Sequence, residues 1–161
     1  MIIIAGTGHR PNKLGGYGDV AEERLSQFAL TELRALQPDV LISGMALGWD
    51  QAIANAALTL GIPLHCYVPF EGHPNLWPPR SQRRYARILS RAALVRVCSP
   101  GGFMPTKMQF RNRCMVDDCT MLLALWNGSD GGTANCVAYA RSVGRLQVNC
   151  WERFYAGRSH E

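Results

Sequence analysis

Six short apolar runs, alternating with segments of helical spacing, constrain this chain more than any other feature. The runs lie at residues 2–5, 40–42, 64–68, 94–98, 121–125 and 146–150. Between them, helices are predicted from Asp19 to about Leu36, over 49–60, from about 81 to 92, from about 108 to 118, and over 133–143. Near-continuous apolar strands that alternate with helices argue for a parallel sheet covered on both faces. The expected fold class is therefore α/β: a Rossmann-like three-layer α/β/α domain with a mostly parallel sheet. Such sheets take their ligands beyond the C-terminal strand ends, where the strand order reverses. One domain is expected over 1–152, followed by a loose polar tail at 153–161.

Local signals support these boundaries. Asp19, with Glu22 three positions on, has the pattern of a capping box. Leu25, Phe28, Ala29, Leu33 and Leu36 then form an apolar stripe, and Pro38 stops the helix. Gly61 is placed to end the 49–60 helix as a C-cap.

Composition excludes several classes. Of the 161 residues, 47% are hydrophobic and 18% charged, which suits a folded core rather than a disordered chain. No apolar stretch is long enough to cross a bilayer. The start Met1-Ile2-Ile3-Ile4-Ala5 lacks the basic region of a signal peptide and reads as a first strand, so a cytoplasmic location is expected. The six cysteines form no CxxC pair, and the four histidines show no ligand spacing. No metal or cofactor is expected. A net charge of +5 favours anionic ligands without requiring nucleic acid.

Three glycine-bearing segments follow strands. Gly6-Thr7-Gly8-His9-Arg10 follows the first, at the place where Rossmann-type domains contact phosphate or ribose; a turn that simply needs glycine is the alternative. Ser43-Gly44-Met45-Ala46-Leu47-Gly48-Trp49-Asp50 follows the second, with small residues that would let the backbone approach a ligand. Asp50 falls in the first helical turn, either as an acceptor for ribose hydroxyls or as a carboxylate complementing the helix dipole. Gly128-Ser129-Asp130-Gly131-Gly132-Thr133 follows the fifth strand. Thr133 is a credible N-cap, and Gly131 and Gly132 allow a nest of N–H groups around an anion. Asp130 would repel a close phosphate, so it should point outward or meet a sugar hydroxyl.

Two arginine settings stand out. Arg111, beside Asn112, shares a core-facing stripe with Met108 and Met115, so it needs an anionic partner: Asp118 or a bound phosphate. Arg80, Arg84, Arg87 and Arg91 fall on one helix face, opposite Tyr85, Ile88, Leu89 and Ala92. A solvated outer face is the favoured meaning of that stripe, and a nucleic-acid contact is the alternative. Trp77 and Tyr85 could stack on a base or simply pack.

The string Gly44-x-Ala46-x-Gly48-x-Asp50 before an Ala-rich helix resembles the corresponding segment of the DNA-processing protein DprA. Arg111-Asn112-x-x-Met115, followed by an apolar strand and Gly131-Gly132-Thr133, resembles the YpsA/YspA-like proteins and the LOG-type phosphoribohydrolases. Gly6-x-Gly8-His9-Arg10-Pro11 and Gln82-x-x-Tyr85 strengthen the YpsA-like match. All belong to the SLOG superfamily of Rossmann-like nucleotide-binding domains, and the resemblance covers nearly the whole chain. It implies binding of a nucleotide or nucleotide-derived small molecule. Phosphate would lie on Gly131–Thr133 and Arg111, sugar near Asp50 and Ser43, and base toward Gly6–Arg10 and the Trp77 loop. It also implies a homodimer, since superfamily members often form one.

The superfamily's enzymes cleave nucleotide N-glycosidic bonds with a glutamate placed shortly after the Gly-Thr. Here Cys136 occupies that position. An enzyme of this kind would need another carboxylate, and Asp50, Glu71 and Asp118 are the candidates. Sensing or sequestering a nucleotide-derived signal is the leading expectation. N-glycosidase action on a nucleoside 5′-monophosphate and DprA-like single-stranded DNA binding are the alternatives.

Overall fold

Strand β1 (Ile3–Gly8) occupies the centre of the sheet, between β2 (Val40–Ser43) and β5 (Met121–Leu125). The computed structural model describes residues 1–158. Its remaining strands are β3 (Leu64–Val68), β4 (Leu94–Val97) and β6 (Leu146–Asn149), and the order β4-β3-β2-β1-β5-β6 is parallel throughout. The expected three-layer α/β/α fold is therefore present, with a sheet that is wholly rather than mostly parallel. The chain steps outward from β1 to β4, then crosses back to β5 on the other side of β1. That reversal puts the topological switch point at the C-terminal ends of β1 and β5.

Helices α1 (Asp19–Leu36), α2 (Trp49–Leu60), α3 (Pro79–Arg91), α4 (Pro105–Asp118), α5 (Gly132–Ser142) and α6 (Trp151–Arg158) complete the layers. One core joins α1, α2, α3 and α6 to the sheet through Leu33, Trp49, Ile53, Ile88 and Phe154. The other lies under α4 and α5, around Met115, Val116, Leu122 and Val137. The Ala-rich α2 owes its close seat to small side chains: Ala54 and Ala57 are fully buried.

Several boundaries differ from expectation. β1 runs on to Gly8, so Gly6, Thr7 and Gly8 are strand residues paired with β5 rather than loop residues. A Cβ at Gly8 would stand 2.5 Å from the Trp49 ring, so this glycine is required by packing. The capping box does not form. Gly18 is the N-cap of α1 and Asp19 is its first residue, and Glu22 instead reaches Arg84 at 2.6 Å. Thr133 lies inside α5, whose N-cap is Gly131.

The expected loose tail is replaced over 153–158 by part of α6; 159–161 lie outside the described residues. The reason is packing. Phe154 is buried against Phe28, and Arg153 forms a two-pronged pair with the buried Glu32, 2.8 Å for each bond. Nor is the sheet covered on both faces along its whole width, because every residue of β4 is exposed.

Candidate functional site

A cavity of about 330 Å³ opens at the β1/β5 switch point. Its floor is the end of β1, Gly6 to Gly8; these glycines are needed for the close seat of α2, since an added Cβ would meet Ile53 at Gly6 and Trp49 at Gly8. One wall is the α5 start, Gly131-Gly132-Thr133. The facing side carries His9, Arg10, Asn12 and Lys13, and Asp50, Arg111 and Asn112 close the back.

The α5 start is open. No side chain caps it, and an added Cβ at Gly131 or Gly132 would meet nothing within 4 Å. Gly131 has φ +140°, a conformation that excludes most side chains. The first-turn N–H groups of a helix have no partner within it, and their dipoles favour negative charge. Asn112 donates from Nδ2 to the Gly132 carbonyl at 3.4 Å, which ties the loop to α4. Asp130 also lines the cavity and is exposed, so it sits at the mouth.

Arg111 is 4% exposed, and it is held by three neighbours. It donates from one terminal nitrogen to the Gly44 carbonyl and from Nε to Asn112 Oδ1 at 2.9 Å, and the Asp50 carboxylate lies within electrostatic reach. Asp118 is not its partner; that carboxylate takes the Tyr67 hydroxyl at 2.5 Å and Arg96 at 3.3 Å. Burial pushes the Asp50 carboxyl up to about 6, and Arg111, the Ala46 N–H and Arg10 pull it back only in part. Asp50 therefore changes charge close to neutral pH, beside a fixed cation.

The Ser43–Asp50 loop is otherwise occupied by the protein itself. Ser43 is fully buried and does not line the cavity; its hydroxyl donates to the Asp50 carbonyl at 2.7 Å and accepts the Met45 N–H at 3.2 Å. Gly44 lies against the Arg111 guanidinium, so close that an added Cβ would stand 2.7 Å from it. Of this loop, Ala46 alone joins Asp50 at the cavity wall. The α2 start is filled too: Trp49 N–H donates to the His9 carbonyl at 3.2 Å. His9 Nε2 accepts the Asn127 N–H at 3.0 Å, and burial lowers its pKa, so the ring is a neutral brace between the ends of β1 and β5.

Glu71 is exposed and does not line the cavity, which removes it as a catalytic candidate there. Trp77 is packed edge-on against His73 and Tyr85 and does not line the cavity either, so the base cannot stack on it in this arrangement. Cys136 is 1% exposed, and burial raises its thiol to about 12, which leaves no thiolate for catalysis. Sequence reasoning missed Asn12 and Lys13. They follow the strand on a short 3-10 turn over Pro11–Lys13, and Lys13 Nζ donates to the Ser129 hydroxyl at 2.8 Å across the cavity mouth. Their only signal was a proline fixing the turn beside Arg10. Among the described residues, no group of three or more metal-ligating side chains converges. No helix among them is long and apolar enough to cross a membrane.

The basic face of α3 stays at the surface except at Arg84, which is half-buried. Arg84 pairs with Glu22 at 2.6 Å and Arg80 with Asp19 at 3.6 Å, while Arg87 and Arg91 stay exposed. Arg80 and Arg84 border a second cavity of about 250 Å³ on the far side of the 10–18 loop.

The fold and the switch-point cavity define a Rossmann-like domain of the SLOG type. Residues 19–156 match the family described as DNA recombination-mediator protein A, and the chain belongs to that family. It is 32% identical over 119 residues to the uncharacterized SPbeta prophage-derived protein YoqJ of Bacillus subtilis (strain 168), an alignment covering 63% of this chain and 69% of YoqJ. DNA processing protein A (DprA) from Streptococcus pneumoniae superposes with a TM-score of 0.65 at 19% identity, over 91% of this chain and 49% of that one. DNA processing protein A from Helicobacter pylori, whose structure was described for its single-stranded DNA binding mode, gives 0.62 at 18% identity, over 91% and 63%. The chain thus spans about half the length of the pneumococcal protein it matches.

Proposed function

We propose that this protein binds a phosphorylated, nucleotide-derived small molecule in the β1/β5 cavity and holds it without cleaving it. The observation that carries this reading is the uncapped, open α5 start facing Arg10 and Lys13 across one cavity. Phosphate belongs on Gly131, Gly132 and Thr133, with Arg10 and Lys13 as exposed cations and Arg111 behind them. Asp50 and Asp130 accept from sugar hydroxyls. The cavity falls at the lower end of the usual small-molecule range, roughly 300–1,000 Å³.

Binding without turnover is favoured by what surrounds the sugar position. The position where the related enzymes carry glutamate holds a buried neutral thiol, Cys136. Of the two carboxylates that line the cavity, Asp130 is exposed at the mouth, and Asp50 is engaged by the Ala46 N–H at 3.2 Å and by the field of Arg111. The family relationship and the Helicobacter pylori neighbour raise single-stranded DNA as a second ligand. The half-buried pairing of Arg84 with Glu22, which takes one cation off the basic face of α3, argues for the smaller one.

Calorimetry against nucleoside mono- and diphosphates, nucleotide sugars and NAD-derived compounds tests the proposal. Saturable binding with no free base released on chromatography is expected. Absence of binding at millimolar concentration rejects the small-molecule reading. Base release that is lost in Asp50→Ala would replace binding with N-glycosidase action. Affinity for a DNA oligonucleotide that falls steeply with salt would favour the nucleic-acid reading.

A further inference from the structure

We propose that the second cavity, behind the 10–18 loop, is a separate binding site for a neutral, amino-bearing heteroaromatic ring of nucleobase size, with adenine as its probe. It shares no lining residue with the switch-point cavity, so this inference does not rest on what that cavity binds.

The starting observation is a polar interruption where α1 and α2 meet. The core between these helices is apolar, with Leu25, Ala29, Leu33, Ala52 and Ile53. Beside the 10–18 loop, however, Glu22 and Ser26 of α1 and Gln51 and Asn55 of α2 line one cavity. Each pair is four residues apart, so each lies on one face of its helix. The four do not bond one another. Glu22 is taken by Arg84 at 2.6 Å, and Gln51 Nε2 donates to the Met45 carbonyl at 3.2 Å. Gln51 is 5% exposed, yet its Oε1 has no partner among the described residues. The half-buried Asn55 carboxamide and Ser26 hydroxyl have none either. Polar groups withdrawn from water nearly always find a partner, and a ligand in this cavity supplies one.

Size and walls suit one flat ring system. The cavity, about 250 Å³, lies below the range of roughly 300–1,000 Å³ that drug-sized ligands occupy. Leu25, Leu47 and Ala52 give it apolar surface. The loop that closes it is ordered: Leu14 is buried, and the Leu14 and Gly16 N–H groups both donate to the Pro11 carbonyl, at 2.9 and 2.8 Å. Gly15 and Gly16, with φ +100° and +103°, then turn the chain to bring Tyr17 to the cavity rim. Tyr17 is 66% exposed and has no ring partner among the described residues, so its face is available for stacking.

Charge and hydrogen-bonding capacity decide the class of ring. The charged side chains at the cavity are already matched, Arg84 by Glu22 and Arg80 by Asp19 at 3.6 Å, which favours a neutral occupant. The unengaged carboxamide atoms are two oxygens, Gln51 Oε1 and Asn55 Oδ1, against one nitrogen, Asn55 Nδ2. Acceptors outnumber donors, so the ring must donate more than it accepts. A carboxamide reads a base edge by accepting from an exocyclic amino group and donating to the neighbouring ring nitrogen, as Asn and Gln do with adenine. Hypoxanthine has the same ring with an oxygen in place of that amino group, and it would leave the carboxamide oxygens unpaired.

Calorimetry of the whole chain with adenine and with hypoxanthine tests the proposal. Adenine is expected to bind one-to-one at submillimolar concentration, at least tenfold more tightly than hypoxanthine. Asn55→Leu and Tyr17→Ala should each weaken adenine about tenfold, with unchanged circular dichroism. Gly132→Asp, in the switch-point cavity, should leave adenine binding intact. Absence of adenine binding at millimolar concentration overturns the proposal. Equal affinity for hypoxanthine, or affinity that survives both Asn55→Leu and Tyr17→Ala, overturns it equally. Loss of adenine binding in Gly132→Asp would also overturn it, by moving the ring to the switch-point cavity.

Discussion

Two glycine-rich loops of this protein look alike in sequence and differ in use. Ser43–Asp50 and Gly128–Thr133 each join a strand to a helix, and each carries small residues suited to an anion. In the first, the space that glycine creates is filled by protein: the Arg111 guanidinium presses on Gly44, and the His9 carbonyl lies 2.6 Å from where a Gly48 Cβ would be. In the second, the space around Gly128, Gly131 and Gly132 is empty. Glycine in a loop therefore signals close approach, and the approaching group can be a neighbour in the fold or a ligand. What separates the two is whether another element already occupies the helix start.

The sharpest way to break this comparison is Gly48→Ala. Gly48 has φ +91°, and the clash is with backbone, so a loss of about 3 kcal/mol and a fall in Tm of roughly 10 °C are expected. A thermal melt matching the wild type would show that the first loop is not sterically locked. Next in size is Gly132→Asp in the second loop. With open space around it, Tm should move by no more than about 2 °C, while the carboxylate at the helix start should weaken ligand binding at least tenfold by calorimetry. A collapse in stability would place the second loop with the first.

Lys13→Ala probes the exposed cations opposite that loop. Losing one charge-assisted bond should weaken phosphate-ligand affinity about tenfold and flatten its salt dependence, with little change in melting. The smallest effect concerns Asp50. Its carboxyl is raised to about 6, so as pH falls through 6 it takes a proton and the negative charge beside Arg111 disappears. Sulfate, whose own charge is constant there, should bind a few-fold more tightly at pH 5 than at pH 7, and Asp50→Asn should bind it equally at both. The same shift affects folding. The folded state holds the extra proton between about 4 and 6, so this group makes stability fall as pH rises across that window, a slope Asp50→Asn should lack.

Much of the site is legible in the sequence because most of its residues follow strands directly, while Arg111 and Asn112 are marked by an arginine on the apolar stripe of α4. Gly6 to Arg10, Asp50, Arg111, Asn112 and Gly131 to Thr133 all line the one cavity, since a parallel sheet delivers every strand's C-terminal end to the same rim. Gly44 turns inward to Arg111 and Glu71 falls away from the cavity, because their loops are aimed by contacts far off in sequence, while Ser43 turns inward to bond residues of its own loop and helix start. Ser43 serves the α2 start, and Glu71 follows the loop braced by Gly101. Lys13 and Asn12 leave no trace because a short turn has no periodicity to read. The α6 helix has the composition of a tail, and one buried Phe154 and one Glu32–Arg153 pair decide it.

By itself, the sequence determined the alternation of elements, the parallel sheet and the rim where the candidate site lies. Apolar runs and helical spacing are local, and backbone hydrogen bonding leaves few ways to combine them. Only the tertiary structure decided which glycine loop stays open, which carboxylate sits beside Arg111, and which sheet edge is left bare. Those outcomes depend on side chains that meet across long stretches of chain, as Gly44 meets Arg111, and on β4 being left without a covering helix. No local pattern records such meetings.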